Sequence, residues 1–144
     1  MKVAYSQKDL LLWFQQPILP LISCKTITFV FSTDAEYKDI SFKAMSPVIE
    51  FFRDADVLIF DAQYVFTDAV QMKRDWGHSS SFVGIDVALD AEVKSLYLFH
   101  HDPMHTDETL LKNLNQAHQY LRNMEPDSNL YIDLAYEGQH IILE

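Results

Sequence analysis

Apolar residues in this chain fall into short solid blocks and longer spaced ones, and the two kinds alternate. "TITFVFST" (26–33) is β-branched and aromatic, too short for a helix, and ends at Asp34, so it reads as a buried strand with a carboxylate at its C-terminal tip. "SPVIEFFRDA" (46–55) reads as a helix with Ser46 as N-cap and Pro47 in the first helical position. "VLIFD" (57–61) repeats the first pattern, an apolar strand ending in an aspartate. "SSFVGIDVALDAE" follows as a helix with Ser79 or Ser80 as cap, and "SLYLF" (95–99) as a third strand with His100 at its tip. From about Thr106 to Met124, Leu110, Leu111, Leu114, Ala117, Leu121 and Met124 keep helical spacing, with Asp107 and Glu108 in the first turn, where acidic groups suit the helix dipole. "NLYIDLAY" and "HIIL" flank Glu137-Gly138-Gln139 and predict a closing hairpin.

Strands alternating with helices predict an α/β layered domain whose first three strands are parallel or mixed. Between the second strand and the second helix, "AQYVFTDAVQMKRDWGHSS" is too long and too polar for a simple turn, and marks a functional loop. In such sheets ligands collect outside the carboxyl ends of the strands. Asp34, Asp61 and His100 stand at such ends, and His78 stands just before a helix N-terminus.

Composition narrows the setting. The 144 residues, 49% of them hydrophobic, suit one domain. The excess of 21 acidic over 11 basic side chains, a formal charge of −10, disfavours long nucleic acid as a partner, while a short or cyclic phosphodiester could still bind locally. Cys24 is the sole cysteine, so no internal disulfide forms and a cytoplasmic protein is the simple reading. The opening "MKVAYSQKDLLLWFQQPILPLISC" faintly resembles a lipoprotein signal, but Asp9, the Gln15-Gln16 pair and two prolines interrupt it, and no run is long enough to span a membrane.

Aspartate and imidazole at strand tips are rigid donors suited to a divalent ion such as zinc or manganese. Taken singly, an aspartate after a strand is as readily a turn former, and a loop histidine a solvated side chain. Convergence from separate strands is what raises the set above its members.

Four blocks, "FVFSTDAEY", "ADVLIFDAQYV", "WGHSSS" and "LYLFHHDPMHTDE", occur in an order and spacing that resemble the second half of a metallo-β-lactamase-fold hydrolase, in the branch of RNase Z and related phosphodiesterases. The resemblance covers about residues 26–144 and leaves 1–25 as a divergent N-terminal segment. It implies part of an αββα sandwich, a mixed sheet with helices packed on it. It further implies that Asp34 bridges two metal ions, that His100 completes the second ion's ligands, and that His78 assists the scissile phosphate or leaving group. Asp61 is then an acid that orients a histidine through its second ring proton, with His101 and Asp102 also standing behind the ligands. His101 and His105 fall outside the ligand positions and read as orienting or solvated side chains, the latter preferred.

The family's H-x-H-x-D-H motif is absent, and no histidine precedes His78. Two protein ligands fall short of the three or four of a stable zinc site, so weak metal binding and little hydrolysis are expected of the chain alone. A half-sandwich also exposes apolar sheet surface, which favours a homo-oligomer or a complementing chain. A truncated product, half of a split enzyme and a non-catalytic binding module all remain open at this point, as does the identity of the small phosphoester substrate.

Overall fold

A computed structural model describes residues 27–37, 39–64 and 77–142. The elements are β1 (Phe29–Ser32), α1 (Phe42–Phe52), β2 (Val57–Asp61), α2 (Ser81–Asp90), β3 (Ser95–Phe99), α3 (Asp107–Met124) and β4 (Tyr131–Leu134). The strands lie in the order β1-β2-β3-β4, every neighbouring pair parallel. Each crossover carries one helix, and parallel crossovers are right-handed, which puts all three helices on the same face. Contacts of α2 with both α1 and α3 fit that single layer.

Period-two alternation supplies the core. Val30, Leu58, Phe60, Leu96, Leu98 and Ile132 share one face of the sheet and are buried with Met45, Ile49, Phe52, Ile85, Ala88, Ala117 and Leu121 of the helices. The opposite parity places Phe29, Phe31, Val57, Ile59, Tyr97, Phe99 and Tyr131 on the other face. There Phe31 meets Phe99 at a ring separation of 5.5 Å and Tyr97 meets Tyr131 at 5.8 Å. No described helix packs on that face.

The strands over 57–61 and 95–99 and the helix after Thr106 form as the pattern predicts, with the Thr106 hydroxyl accepting the Thr109 amide at 3.3 Å as an N-cap should. The helix cap at Ser80 is in place, although its side chain makes no cap bond. Two expectations fail. α1 begins at Phe42 behind Ser41, not at Pro47, which sits inside the helix. Met45, Ile49 and Phe52 are spaced to bury one face, and that packing extends the helix upstream at the cost of the hydrogen bond Pro47 cannot donate.

The closing hairpin is also not formed. Gly138 does turn, at φ 79°, and the Gln139 amide donates to the Tyr136 carbonyl at 3.2 Å, but residues 140–142 make no strand and Ile142 is 85% exposed. β4 instead pairs with β3 from Ser95↔Tyr131 to Leu98↔Leu134, so the described sheet is parallel rather than mixed. Ile132 is the buried residue of that strand, and docking beside β3 is what buries it. The N-terminal segment 1–25 and most of the loop between β2 and α2 lie outside the described residues. No described helix is long and apolar enough to cross a membrane.

Candidate metal centre

The carboxyl ends of three parallel strands bring the tip residues together. Asp34 follows β1 and His100 follows β3, and both are left-handed, at φ 52° and 57°. That conformation is uncommon for residues with a side chain, although Asp and His tolerate it better than most, and it costs on the order of 1 kcal/mol. At both tips it turns the chain off the strand line at the residue that carries the donor. His100 Nε2 lies 3.5 Å from Asp34 Oδ1, while its Nδ1 is engaged by the Thr33 hydroxyl at 3.1 Å. Asp34 and His100 retain 50% and 31% side-chain exposure, so this edge opens to solvent.

Behind it stands a buried pair. Asp61, the last residue of β2, is fully buried, and its Oδ2 accepts the His78 Nδ1–H at 2.8 Å. Its Oδ1 accepts the backbone amides of Gln63 and Ser79, each at 3.2 Å. Burying a carboxylate is costly unless its oxygens are bonded, and here both are. His78 stacks on His100 with ring centroids 4.7 Å apart and 21° between planes, and meets Tyr64 edge-on at 5.8 Å. The Tyr64 phenol is pushed up by burial, with the charges of Asp61, Asp102 and Glu36 acting in the same sense, which marks the surroundings as acidic.

One atom from each of Asp34, Asp61, His78 and His100 lies within 4.8 Å of the others. Two carboxylates and two imidazoles are a donor set that a zinc or manganese ion accepts. Three hydrogen bonds commit Asp61 to its protein partners, so Asp34, His100 and the far nitrogen of His78 are the groups left to face an ion. They fit a divalent ion as an incomplete set.

His101 and Asp102 lie outside this group of four. Asp102 builds the turn into α3, its Oδ1 accepting the Met104 amide and its carbonyl the His105 amide, both at 2.9 Å. The solvated reading of His101 and His105 is corrected. Both are only partly exposed, and His101 Nε2 and His105 Nδ1 are buried without a hydrogen-bond partner. Burial holds the His101 imidazolium below its ordinary 6.5, and nearby His105 adds to that.

Sequence reading missed three residues of the site: Thr33, which fixes the His100 ring; Tyr64, which edges His78; and Glu36. The last is a buried carboxylate whose Oε2 accepts the Gly77 amide at 3.2 Å. Thr33 stood one position before a singled-out aspartate and Glu36 two after it, and Tyr64 opens the loop marked as functional, but nothing in the pattern distinguished them from their neighbours.

No family model matches the sequence. The chain is 42% identical over 71 residues to ribonuclease Z of Thermoplasma acidophilum, a stretch that is 48% of this chain and 22% of that one. It is 38% identical over 85 residues to ribonuclease Z of Crocosphaera subtropica, covering 58% of this chain and 27% of the relative. Among solved structures, the metallo-β-lactamase fold protein YhfI of Bacillus subtilis superposes with a TM-score of 0.53 at 20% identity, over 92% of this chain and 61% of that one. The described chain thus shares a metallo-β-lactamase fold over about three fifths of that neighbour's length. Over the matched stretch the chain is similar to ribonuclease Z, and that stretch spans about a quarter of these curated relatives' length.

Proposed function

We propose that this chain supplies one side of a divalent-metal hydrolase site for phosphodiester-type substrates, and that alone it binds metal weakly and hydrolyses little. The observation that supports this is the convergence of Asp34, Asp61, His78 and His100 within 4.8 Å, from three strand tips and the lead-in to a helix. Asp34 and His100 would hold the ion, which when bound supplies Lewis acidity towards a phosphoryl oxygen and acidifies water. Thr33, by engaging Nδ1 of His100, leaves Nε2 as the ligating nitrogen.

Asp61 holds the Nδ1 proton of His78, which fixes the ring and leaves its Nε2 to carry a proton to the departing oxygen. Stacking on His100 places that acid beside the ligand edge. With Asp34 and His100 holding the ion and His78 Nε2 kept for the proton, the set falls short of a closed tetrahedral shell, which is why weak binding is expected without ligands from elsewhere.

The test is metal content by mass spectrometry after incubation with zinc and with manganese and removal of the excess, on the natural chain and on His100→Ala. We expect retained metal well below one ion per chain in the natural protein, falling further in the variant while the circular dichroism spectrum stays the same. Equal metal in both would refute the assignment and favour a binding module that keeps the fold without the chemistry.

A further inference from the structure

Residues 77–79 carry His78 into the site, and five hydrogen bonds among the described residues hold them. Two run to Asp61, from the His78 ring and the Ser79 amide, and one joins the Tyr64 amide to the Ser79 carbonyl at 3.1 Å, so β2 and the residues just after it hold one side. The other two cross to the residues after β1. The Ser79 hydroxyl donates to the Ala35 carbonyl at 2.8 Å, and the Gly77 amide donates to Glu36 Oε2 at 3.2 Å.

Glu36 is the unexpected member. It is 8% exposed, two residues past Asp34 and 41 residues before the glycine it holds. A carboxylate is placed in such surroundings only against donors that repay its lost hydration. Gly77 is left-handed at φ 89°, a conformation glycine adopts freely, so the backbone ahead of His78 has no steric preference of its own and takes its direction from what binds it. Glu36 is the described group that binds that amide.

We infer that Glu36 is a positioning residue: by accepting the Gly77 amide it locks the segment of His78 to the tip of β1, so that His78 keeps register with Asp34 and stays stacked on His100. This rests on the reading that Asp34 and His78 share one site. Within that reading the acid and the ligand edge move as one body, although they come from parts of the sequence far apart.

The experiment is solution NMR on the metal-free full chain with Glu36→Met, which keeps the length and loses the strong acceptor, and Glu36→Gln, which keeps a carbonyl. With Met, the Gly77 amide should exchange at least tenfold faster and the His78 ring signals should lose the shift imposed by His100, while the Leu58 and Leu96 amides stay protected. Gln should restore both. Unchanged His78 signals in the Met variant, equal loosening by Gln, or matching loss of protection in β2 and β3 would each overturn the inference. Should the Met variant not fold, Gln alone decides: Gly77 protection within threefold of the natural chain is required. The readout is geometric, so a chain that binds no metal still answers it, and failure of the metal-content test remains a separate result.

Discussion

At the residue scale the strand tips were legible because the residue that ends an apolar block must sit at a sheet edge, and a parallel sheet puts all such ends together. Asp34, Asp61 and His100 could be placed on that ground. That Asp61 accepts a histidine's ring proton entered only through the family resemblance, and which histidine it was could not be placed, since a bond to His78 across 17 positions leaves no local trace. Nor could the fate of His101, where an apolar strand draws the following loop inward and buries a ring nitrogen.

That burial has a measurable consequence. The His101 imidazole is harder to protonate folded than unfolded, so on acidification below the ordinary 6.5 the unfolded chain takes up the proton first and stability falls. Contributions of this sign are fully present above that pH and are lost as it drops towards the depressed folded value. His101→Phe should therefore flatten the fall in melting temperature between about pH 7 and about pH 5, the span in which histidine titrates. A variant whose melting curve tracks the natural chain across that span would show that His101 is not the group responsible.

At the element scale, blocks with both faces buried were read correctly because nothing competes with burial there: β2 and β3 match their predicted bounds. Errors arose where a local signal met a tertiary one. Pro47 is a good helix starter in isolation, but Met45 and Ile49 gain more by packing than the helix loses at the proline. The hairpin signal at Gly138 was real as a turn and empty as a hairpin, because pairing with β3 was available to β4.

The α2 layer gives a sharper test. A Cβ added at Gly84 would lie 2.7 Å from Phe60 Cδ1, and Phe60 is fully buried with the Tyr37 ring stacked 5.7 Å away, so the ring has little room to retreat. Replacing a helical glycine normally gains up to about 1 kcal/mol. Overpacking of about 1–3 kcal/mol opposes it and should win. Gly84→Ala is expected to lower stability by about 1 kcal/mol in urea titrations with an unchanged slope, and Gly84→Val by more. A stabilised alanine variant would mean that the contact between α2 and β2 is looser than the structure shows.

For the whole molecule, the formal charge of −10 bears on any phosphodiester substrate. Arg53 and Lys94 are paired with Glu50 and Asp56 at 2.8 and 2.6 Å, and Lys94 precedes β3, at the end of the sheet away from the tips. Among the described residues Asp34, Glu36 and Asp61 stand around the tips, and with the chain's net negative charge an anionic ligand approaches against that field. A basic nuclease loses affinity as salt rises, because releasing counterions from the phosphates gains less in a more concentrated salt solution. This chain should behave in the opposite sense. Raising salt from about 0.01 M to about 0.15 M shortens the screening length from about 30 Å to about 8 Å and hides the distant acids while sparing contacts at the site. Affinity of the manganese-loaded chain for a short oligonucleotide, measured by fluorescence anisotropy, should hold steady or rise over that range. A steep loss on a log–log plot would mean that a cationic surface, not the strand tips, binds the phosphates.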